Sequence, residues 1–473
     1  MQGNIPVVQG FNVTSPNNQN TNNQNFNYTS TNNTFNGQNG EMQPKKYNDV
    51  FFAVLFYAHL GVMGILLLST LQNNNNGDNN GGGGGAAGGM IYFCSVCGIF
   101  STGLSTVTLG FMMSFASSLI KISLFFQVGC SLLMGLLGLM SGQILMAVMG
   151  FLSFAIGLCY TYYVWDRIPF AAANLNTALT AVKANLGTAV VAYFFLFLAF
   201  GWSIWWVVVS NTMIANYGSG VSFLFFLSYY WTQQVLSNTV HVTTAGVIGT
   251  WWFAPQEASS CCSKAIGDSF TRATTYSFGS ICFGSLLVAI VQALRQLNHQ
   301  LRGNEDATII VCLIDCILAC IESIIEYLNK WAYVYVGLYG YNYLDAGKNV
   351  MTLFQNKGWT VIITDDLAEN VLFMMSIVLG LVTGLIGLIM AKMDQNLFAN
   401  LDIDNTASVG FFVGFLIGFV LCSILMSVVA SAVNTVIVCF AEAPREFEMN
   451  HGQLSMEMRQ AWRQAWPSEC GNM

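Results

Sequence analysis

Long apolar stretches recur along most of this chain and leave few folds open to it. A helix needs about 20 mostly apolar residues to cross a hydrocarbon layer about 30 Å thick. Only 8% of the residues are charged, against about 25% in an ordinary soluble domain. The pattern predicts an all-α membrane protein, a polytopic bundle of about ten transmembrane helices in a lipid bilayer. The predicted segments are 51–71, 90–115, 122–141, 144–165, 188–210, 221–250, 277–297, 309–329, 370–391 and 409–440.

The remaining sequence divides into two tails around this bundle. Residues 1–48 are rich in Asn, Gln, Thr and Ser and hold few apolar side chains, which predicts a disordered N-terminal tail. They also lack the apolar core of a cleavable signal peptide, so we expect the first helix to direct insertion. Residues 49–443 form the predicted ten-helix transmembrane domain, and residues 444–473 form a C-terminal tail.

Basic residues indicate how the bundle is oriented. If the chain starts in the cytosol, 13 of the 16 Lys and Arg residues lie on inner segments, and only Arg295, Arg302 and Lys392 lie outside. Spanning proteins collect Lys and Arg on the cytosolic side. The distribution therefore predicts that the N- and C-termini are both cytosolic.

Two inner loops resemble helices that lie along the membrane surface. In residues 166–187, Leu175, Leu179, Val182 and Leu186 recur at i, i+4, i+7 and i+11, which is typical of an amphipathic helix. In residues 331–359, five tyrosines fall within about eleven residues among polar groups that disfavour a span. We therefore expect two interfacial amphipathic helices on the cytosolic side, with their aromatic rings at the headgroup layer.

Several function classes are disfavoured by what the sequence lacks. The net charge of −7 has no basic block, so we expect no nucleic-acid partner. No HExxH, GxSxG or Walker motif occurs, which predicts a chain that is not an enzyme and has no cofactor. Cys94 and Cys97 have a spacing compatible with zinc, but no His lies near them, so packing is the favoured interpretation and no metal site is expected.

A polar stripe interrupts the sixth predicted helix. At about 100° per residue, Tyr230, Gln234, Asn238 and His241 share one face of the segment "YYWTQQVLSNTVHVTTAGVIGTWWF". An amide or imidazole without a partner costs several kcal/mol in hydrocarbon, so this face must turn into the bundle or a wet cavity. Two interpretations stay open at this point. The stripe either makes polar contacts between helices or lines a path for a solute.

Acidic residues mark the eighth predicted helix in the same way. Asp315, Glu322 and Glu326 stand at i, i+7 and i+11 and so lie within about 20° of one line. Carboxylates inside a membrane are costly and by default suggest a functional site. Arg295 or Lys330 is placed to neutralise one of them, which is the alternative to a role in transport or proton coupling.

Tryptophans occupy the middle of the fifth predicted helix, although this residue prefers the membrane interfaces. Trp202, Trp205 and Trp206 lie in "GWSIWWVVVS". Aromatic faces at this depth are suited to a quaternary ammonium group, whose charge forms no hydrogen bonds. The alternative is that they are bulky packing residues.

Five motifs together resemble one known family. They are "RIPFAAANLNTA", the stripe segment quoted above, "SFTRATTYSFGSICFGSLLVAIVQALRQL", "ACIESIIEYLNKWAYVYVGLYGYNYLDAGKNVMTLF" and "CFAEAPREF". In this order the sequence resembles the choline transporter-like family, also called solute carrier family 44, over residues 49–447. The short first exterior loop is more similar to the fungal and protist branch than to animal members. The resemblance implies a multi-pass protein, with the plasma membrane favoured, that takes up choline or a related cation such as ethanolamine.

The residues and the resemblance together predict a transporter. We expect choline or a related small organic cation to cross by alternating access along a polar, aromatic-lined path. The alternatives are a passive channel and a membrane scaffold or sensor without transport, which would have no cavity reaching His241. Glu322 and Asp315 are the candidates for charge compensation or coupling. The substrate-binding candidates are Trp202, Trp205, Tyr229, Tyr230, Trp231, Gln234, Asn238 and His241.

Overall fold

A computed structural model describes residues 45–74, 84–217, 221–300, 308–359, 367–393 and 406–470. Within these ranges the chain forms fifteen α-helices and no strand. In chain order they are α1 Val50–Asn74, α2 Gly84–Met140, α3 Ile144–Val164, α4 Ile168–Ala184, α5 Gly187–Tyr217, α6 Ser222–Phe253, α7 Lys264–Thr274, α8 Phe278–Gln300, α9 Thr308–Tyr339, α10 Tyr343–Lys357, α11 Leu367–Met393, α12 Thr406–Glu442, α13 Pro444–Asn450, α14 Gly452–Ala465 and α15 Pro467–Cys470.

The helices have the length and apolar character of membrane spans. In the described ranges, seven helical stretches meet both criteria, and the chain is an all-α membrane protein. They are Val50–Thr70, Tyr92–Met140, Ile144–Ala184, Gly187–Ile214, Phe278–Gln300, Leu367–Met393 and Thr406–Glu442. The long helices α6 and α9, which carry the polar stripe and the acidic line, are outside this set. The expected total of ten stays a prediction.

The second and third predicted segments are two helices that meet at a kink within α2. The kink lies at Phe115, with φ −128° and ψ 21°, which is where the second predicted segment ends. No Gly or Pro stands between residues 111 and 128 to end the helix. Lys121 follows the kink, and its ammonium group lies 5.6 Å from the ring centroid of Trp165. Such a cation–π contact accommodates the charge within the second part of α2.

The amphipathic pattern predicted in residues 166–187 corresponds to α4, whose apolar face is covered by protein. Leu175, Leu179 and Val182 are fully buried, and α4 packs against α2, α12 and α14. From α14, the Trp462 indole donates to Asn174 Oδ1 at 2.8 Å. Helix α4 is therefore held between the long helices and the C-terminal segment.

The tyrosine-rich stretch differs from its interfacial prediction. Helix α9 continues to Tyr339, and the Tyr333 and Tyr335 side chains are only 1% and 4% exposed. The Tyr333 hydroxyl donates to the carbonyl of Ile281 at 3.2 Å, so its polar end is satisfied inside the protein. A buried tyrosine needs such a partner, and here the tertiary fold supplies it.

Helices α6, α9 and α12 end at the same side of the bundle, which we call the basal end and define by Phe253, Tyr339 and Glu442. Trp252 in α6 donates to the carbonyl of Ala443, directly after α12, at 3.0 Å. Gly246 and Gly337 bring α6 and α9 close together near the same end. The orientation predicted from the basic residues assigns the basal end to the cytosol.

The start of α1 is tied into the basal end. Asp49, at φ 51°, accepts hydrogen bonds from Ser280 Oγ at 2.7 Å and from the backbone N–H of Tyr343 at 2.9 Å. A Cβ atom at Gly279 would lie 2.3 Å from the Asn48 carbonyl oxygen, so glycine permits this close approach. Asn48 is buried, although the prediction placed it in the disordered tail. Residues 1–44 of that predicted tail lie outside the described residues.

The C-terminal segment caps helix α6. The last carbonyl groups of a helix lack partners within the helix. Asn450 Nδ2 donates to the carbonyls of Trp252 and Phe253 at 2.9 and 3.1 Å, and His451 Nε2 donates to that of Trp251 at 3.0 Å. The His451 ring also stacks on Trp251 with centroids 3.9 Å apart. These contacts couple α13 and α14 to the basal end of α6.

We predict that docking of the C-terminal segment weakens in acid. Burial lowers the pKa of His451 below its ordinary value of 6.5. The undocked segment therefore binds the proton more readily, and docking is fully stable above about pH 6.5 and loses stability as the pH falls toward the lowered pKa. The hydrogen-exchange rate of residues 452–465, corrected for intrinsic rates, should increase as the pH falls from about 7.5 to about 5.5.

His451→Gln is the matched control because glutamine can keep the donor to Trp251 but does not titrate. The variant should lose most of the pH dependence. An equal increase in exchange in both proteins would contradict the assignment to His451.

Candidate functional site

A cavity of about 250 Å³ lies among helices α6, α8, α9, α11 and α12. Polar groups from four of these helices face it, and Ser237 and Glu326 are exposed, so it is accessible from outside the bundle. We call it the central cavity. Its lining residues are Gln234, Ser237, Asn238, His241, Val288, Glu326, Asn329, Lys330, Tyr333, Glu369, Ser427, Ala430, Ser431 and Asn434.

Helix α6 contributes the face predicted from the sequence. Gln234, Ser237, Asn238 and His241 recur every three or four residues and all line the cavity. The adjacent Gln233 turns to α5, where its amide donates to the Ala199 carbonyl at 3.1 Å and to Ser203 Oγ at 3.0 Å. The two neighbouring glutamines therefore have different surroundings, as a step of 100° per residue requires.

His241 joins three helices at the wall of the cavity. Its Nε2 lies 3.1 Å from the Lys330 carbonyl of α9, and its Nδ1 lies 2.6 Å from Ser431 Oγ of α12. A carbonyl only accepts, so Nε2 carries the hydrogen, and in the neutral ring Nδ1 accepts from the serine hydroxyl. The Ser431 hydroxyl also lies 2.9 Å from the Ser427 carbonyl. The single hydroxyl hydrogen of Ser431 therefore has two acceptors within reach, His241 Nδ1 and the Ser427 carbonyl.

A chain of amides leads from the cavity toward the end of the bundle opposite the basal end. Asn238 Nδ2 donates to Gln234 Oε1 at 3.4 Å, and Gln234 Nε2 donates to Gln292 Oε1 at 3.4 Å. Gln292 Nε2 then donates to Glu322 Oε1 at 2.9 Å. The Asn238 amide also donates to Ser285 Oγ at 3.0 Å. The α6 stripe is thus both partnered between helices and open to the cavity.

Arg295 closes this chain with a carboxylate on each side. Its Nε donates to Asp315 Oδ1 at 3.3 Å, and its Nη1 donates to Glu322 Oε2. His299 Nε2 also lies 3.4 Å from Asp315 Oδ1. The Arg295 side chain is 32% exposed, so this cluster is partly hydrated. The expected neutralising partner of the acidic line is therefore Arg295, which bonds both Asp315 and Glu322.

Charge in the central cavity comes from two carboxylates and one ammonium group. Lys330 Nζ lies 3.2 Å from Glu369 Oε1, which makes an ion pair across α9 and α11. Glu326, the third member of the acidic line, forms no hydrogen bond or ion pair with any described residue. The cavity therefore has one carboxylate available to a cation, and no group of three metal-binding side chains occurs among the described residues.

The predicted aromatic residues lie mostly away from the central cavity. The ring centroids of Trp202 and Trp205 lie 5.3 Å apart, with the rings tilted by 59°, in a cluster of α1, α5 and α6 that also includes Tyr229. Trp231 is buried and donates to the Cys282 carbonyl at 3.0 Å. Tyr230 lies one turn from Gln234 on the same face, with its hydroxyl 3.5 Å from Gln296 Oε1. The structure thus groups Gln234, Asn238 and His241 at the cavity and separates the tryptophans from them.

The sequence prediction did not include several cavity residues. Ser427, Ser431 and Asn434 stand at i, i+4 and i+7 on α12, a polar stripe of the kind recognised in α6. That signal was available in the sequence. Glu369 stands near the start of α11, and only the fold brings it to Lys330.

Comparison with known proteins identifies the family. Residues 148–445 match the family model described as plasma-membrane choline transporter. The chain belongs to this family. The matched region contains the whole central cavity, and the match confirms the resemblance seen in the motifs. The fold and the family together establish a multi-pass membrane protein.

Similar proteins occur in fungi and in Dictyostelium discoideum. The chain is similar to a CTL-like protein of D. discoideum, with 27% identity over 385 residues that cover 77% of this chain and 68% of that protein. It is 32% identical to Protein PNS1 of Gibberella zeae over 47% of this chain and 45% of the relative. It is 29% identical to Protein PNS1 of Candida albicans over 52% of this chain and 53% of that relative. The chain thus spans about half the length of these two PNS1 proteins.

We predict that Arg295 and Glu322 are energetically coupled. Arg295→Gln should lower the thermal unfolding midpoint, because it leaves the α9 carboxylates without their cation. Adding Glu322→Gln should recover part of the loss. Since Arg295 is about one third exposed, the coupling in a double-mutant cycle should be about 1 kcal/mol or less.

Lys392→Gln is the control, because it removes one cation from an exposed position in the last turn of α11. It should leave the midpoint nearly unchanged. Strictly additive effects of Arg295→Gln and Glu322→Gln would argue against the contact.

Proposed function

We propose that this protein transports an organic cation, choline or a related small ammonium compound, through the central cavity by alternating access. Family membership indicates membrane transport as the general activity. The observation that carries the cation assignment is the carboxylate of Glu326, which faces an accessible cavity without a partner among the described residues. A carboxylate in this setting favours a positively charged solute.

The size of the cavity supports a small substrate. Its volume of about 250 Å³ lies just below the usual range of small-molecule pockets, about 300–1,000 Å³. The amide and hydroxyl groups of α6 and α12 supply hydrogen-bond partners for the hydroxyl of choline or for the N–H groups of a primary amine. Tyr333 and His241 supply aromatic surface for the cationic head.

Alternating access requires that the two ends of the path are not open together. Toward the basal end, Thr435, Val438 and Phe440 of α12 are fully buried, and α13 and α14 cover the ends of α6 and α12. Away from the basal end, the polar chain reaches the partly exposed Arg295 cluster. With the basal end in the cytosol, this arrangement corresponds to a state closed to the cytosol, and we propose the plasma membrane as the site of action.

Each polar group then has a role in the path. Arg295 holds Asp315 and Glu322 so that these two carboxylates compensate its charge near the entrance. The amides of Gln234 and Asn238 orient the solute, His241 fixes the three helices around it, and Glu326 balances its charge. For Trp202, Trp205, Tyr229 and Trp231 we propose a packing role between α6, α1, α5 and α8 in this conformation.

A cavity that reaches His241 also favours transport over the scaffold alternative. A scaffold would need the α6 stripe to be fully enclosed by neighbouring helices. Instead Ser237 is exposed beside Gln234 and Asn238. This observation supports a wetted path and gives no particular support to a passive channel.

We predict that uptake depends on the cavity carboxylate and on the α6 amides. In proteoliposomes, Glu326→Gln should raise the KM for radiolabelled choline by about tenfold or more, because it removes the charge partner of the solute. Gln234→Ala combined with Asn238→Ala should lower choline uptake strongly. Initial rates over a range of choline concentrations measure both effects.

Gln233→Ala is a closely matched control. It removes the same amide group from the neighbouring residue, whose side chain faces α5 and not the cavity. Its KM should stay within about twofold of wild type. Saturable wild-type uptake that none of these changes affects would remove the central cavity from the path. A wild-type protein that moves no ammonium compound would support the scaffold alternative.

A further inference from the structure

Glu442 is a half-buried residue at the basal end whose carboxylate the central cavity does not use. It is the last residue of α12, and its Oε1 accepts a hydrogen bond from the Tyr335 hydroxyl. Its Oε2 is buried and has no hydrogen-bond partner among the described residues, none of which provides a cationic side chain to pair with it. A carboxylate left in this state costs free energy, because burial removes its hydration without supplying a counter-charge.

Tyr335, the hydrogen-bond partner of this carboxylate, belongs to a cluster of three tyrosine rings. Tyr335 and Tyr339 lie in the last turns of α9, and Tyr341 follows the turn at Gly340. The ring centroid of Tyr335 is 4.9 Å from that of Tyr339 and 6.3 Å from that of Tyr341, and Tyr339 is 5.8 Å from Tyr341. The Tyr339 hydroxyl is buried and also lacks a partner among the described residues. Tyrosine faces beside a carboxylate are the groups that hold alkylated ammonium ions in proteins.

The position of Glu442 relates it to the central cavity. It follows the cavity residue Ser431 by eleven residues, which puts both within about 20° of one line along α12 and about 16 Å apart. Between them, Thr435 and Val438 are fully buried. The two groups therefore lie on one line of the helix and are separated in this conformation by a sealed layer.

We propose that Glu442, Tyr335, Tyr339 and Tyr341 form a second binding site for an alkylated ammonium ion at the basal end of the transport path. The proposal rests on the proposed function, because it places this site after the central cavity in the same path. In the present conformation the Tyr335 hydroxyl takes the position beside the carboxylate, and the tyrosine rings contact one another. When the basal end opens, the ammonium ion replaces the hydroxyl and the rings turn their faces to it.

The experiment measures choline affinity separately on the two faces of the membrane. The full chain, with an affinity tag after residue 473, is reconstituted in proteoliposomes, and the tag separates vesicles of opposite orientation. Glu442→Gln should raise the KM for radiolabelled choline at the basal face by about tenfold. At the opposite face the KM should stay within about twofold, since Glu326 and the central cavity are intact.

Glu446→Gln is the matched control because it removes the same charge four residues later on α13. It should leave both KM values within about twofold of wild type. Tyr335→Phe provides a second test that a purely structural role would not pass. It keeps the ring but removes the competing hydroxyl, so the basal KM should fall about threefold.

The outcomes separate this proposal from the proposed function. Saturable choline transport with equal changes on both faces, or with no change in Glu442→Gln, would overturn the second site and leave the central cavity in place. Wild-type vesicles without saturable flux of choline would overturn the transport function and the second site together. A basal KM that rises in Glu442→Gln and falls in Tyr335→Phe would support the site.

Discussion

The need to satisfy polar groups inside an apolar bundle governs this structure, and His241 shows how that need is met. An imidazole without partners in hydrocarbon would cost several kcal/mol. The Lys330 carbonyl and the Ser431 hydroxyl remove that cost and, in doing so, fix α6 against α9 and α12. The central cavity lies beside this junction. The shape of the cavity therefore depends on a contact whose loss would cost several kcal/mol.

Much of the site could be predicted from helical phase. The stripe of Gln234, Asn238 and His241 needs only a step of 100° per residue and the cost of polar groups in hydrocarbon. The line of Asp315, Glu322 and Glu326 follows in the same way. What phase cannot supply is the partner of each group. Arg295 bonds two of the three carboxylates, which leaves Glu326 as the available anion. This pairing depends on how the helices pack.

Nearness in sequence was the weakest guide to the site. Tyr229 and Trp231 adjoin the polar stripe in the chain, but Tyr229 is rotated by about 140° from Gln234 and packs against α5. Trp231 bonds a carbonyl of α8. The tyrosine-rich stretch was predicted to lie at the interface because its composition fits a headgroup layer as well as it fits the protein interior. Contacts from α8 and α12, which lie far away in the sequence, decide that its rings are buried.

Asp49 connects the first helix to the rest of the bundle through one carboxylate. It bonds a side chain in the first turn of α8 and the first backbone amide of α10. Gln292 of α8 and Tyr343 of α10 both bond to α9, through Glu322 and Asn329. The three helix starts therefore share a single fixed point, so a rotation of α8 either carries α1 with it or gives up a charged hydrogen bond. In mechanical terms, the N-terminal helix is a lever whose pivot lies at residue 49.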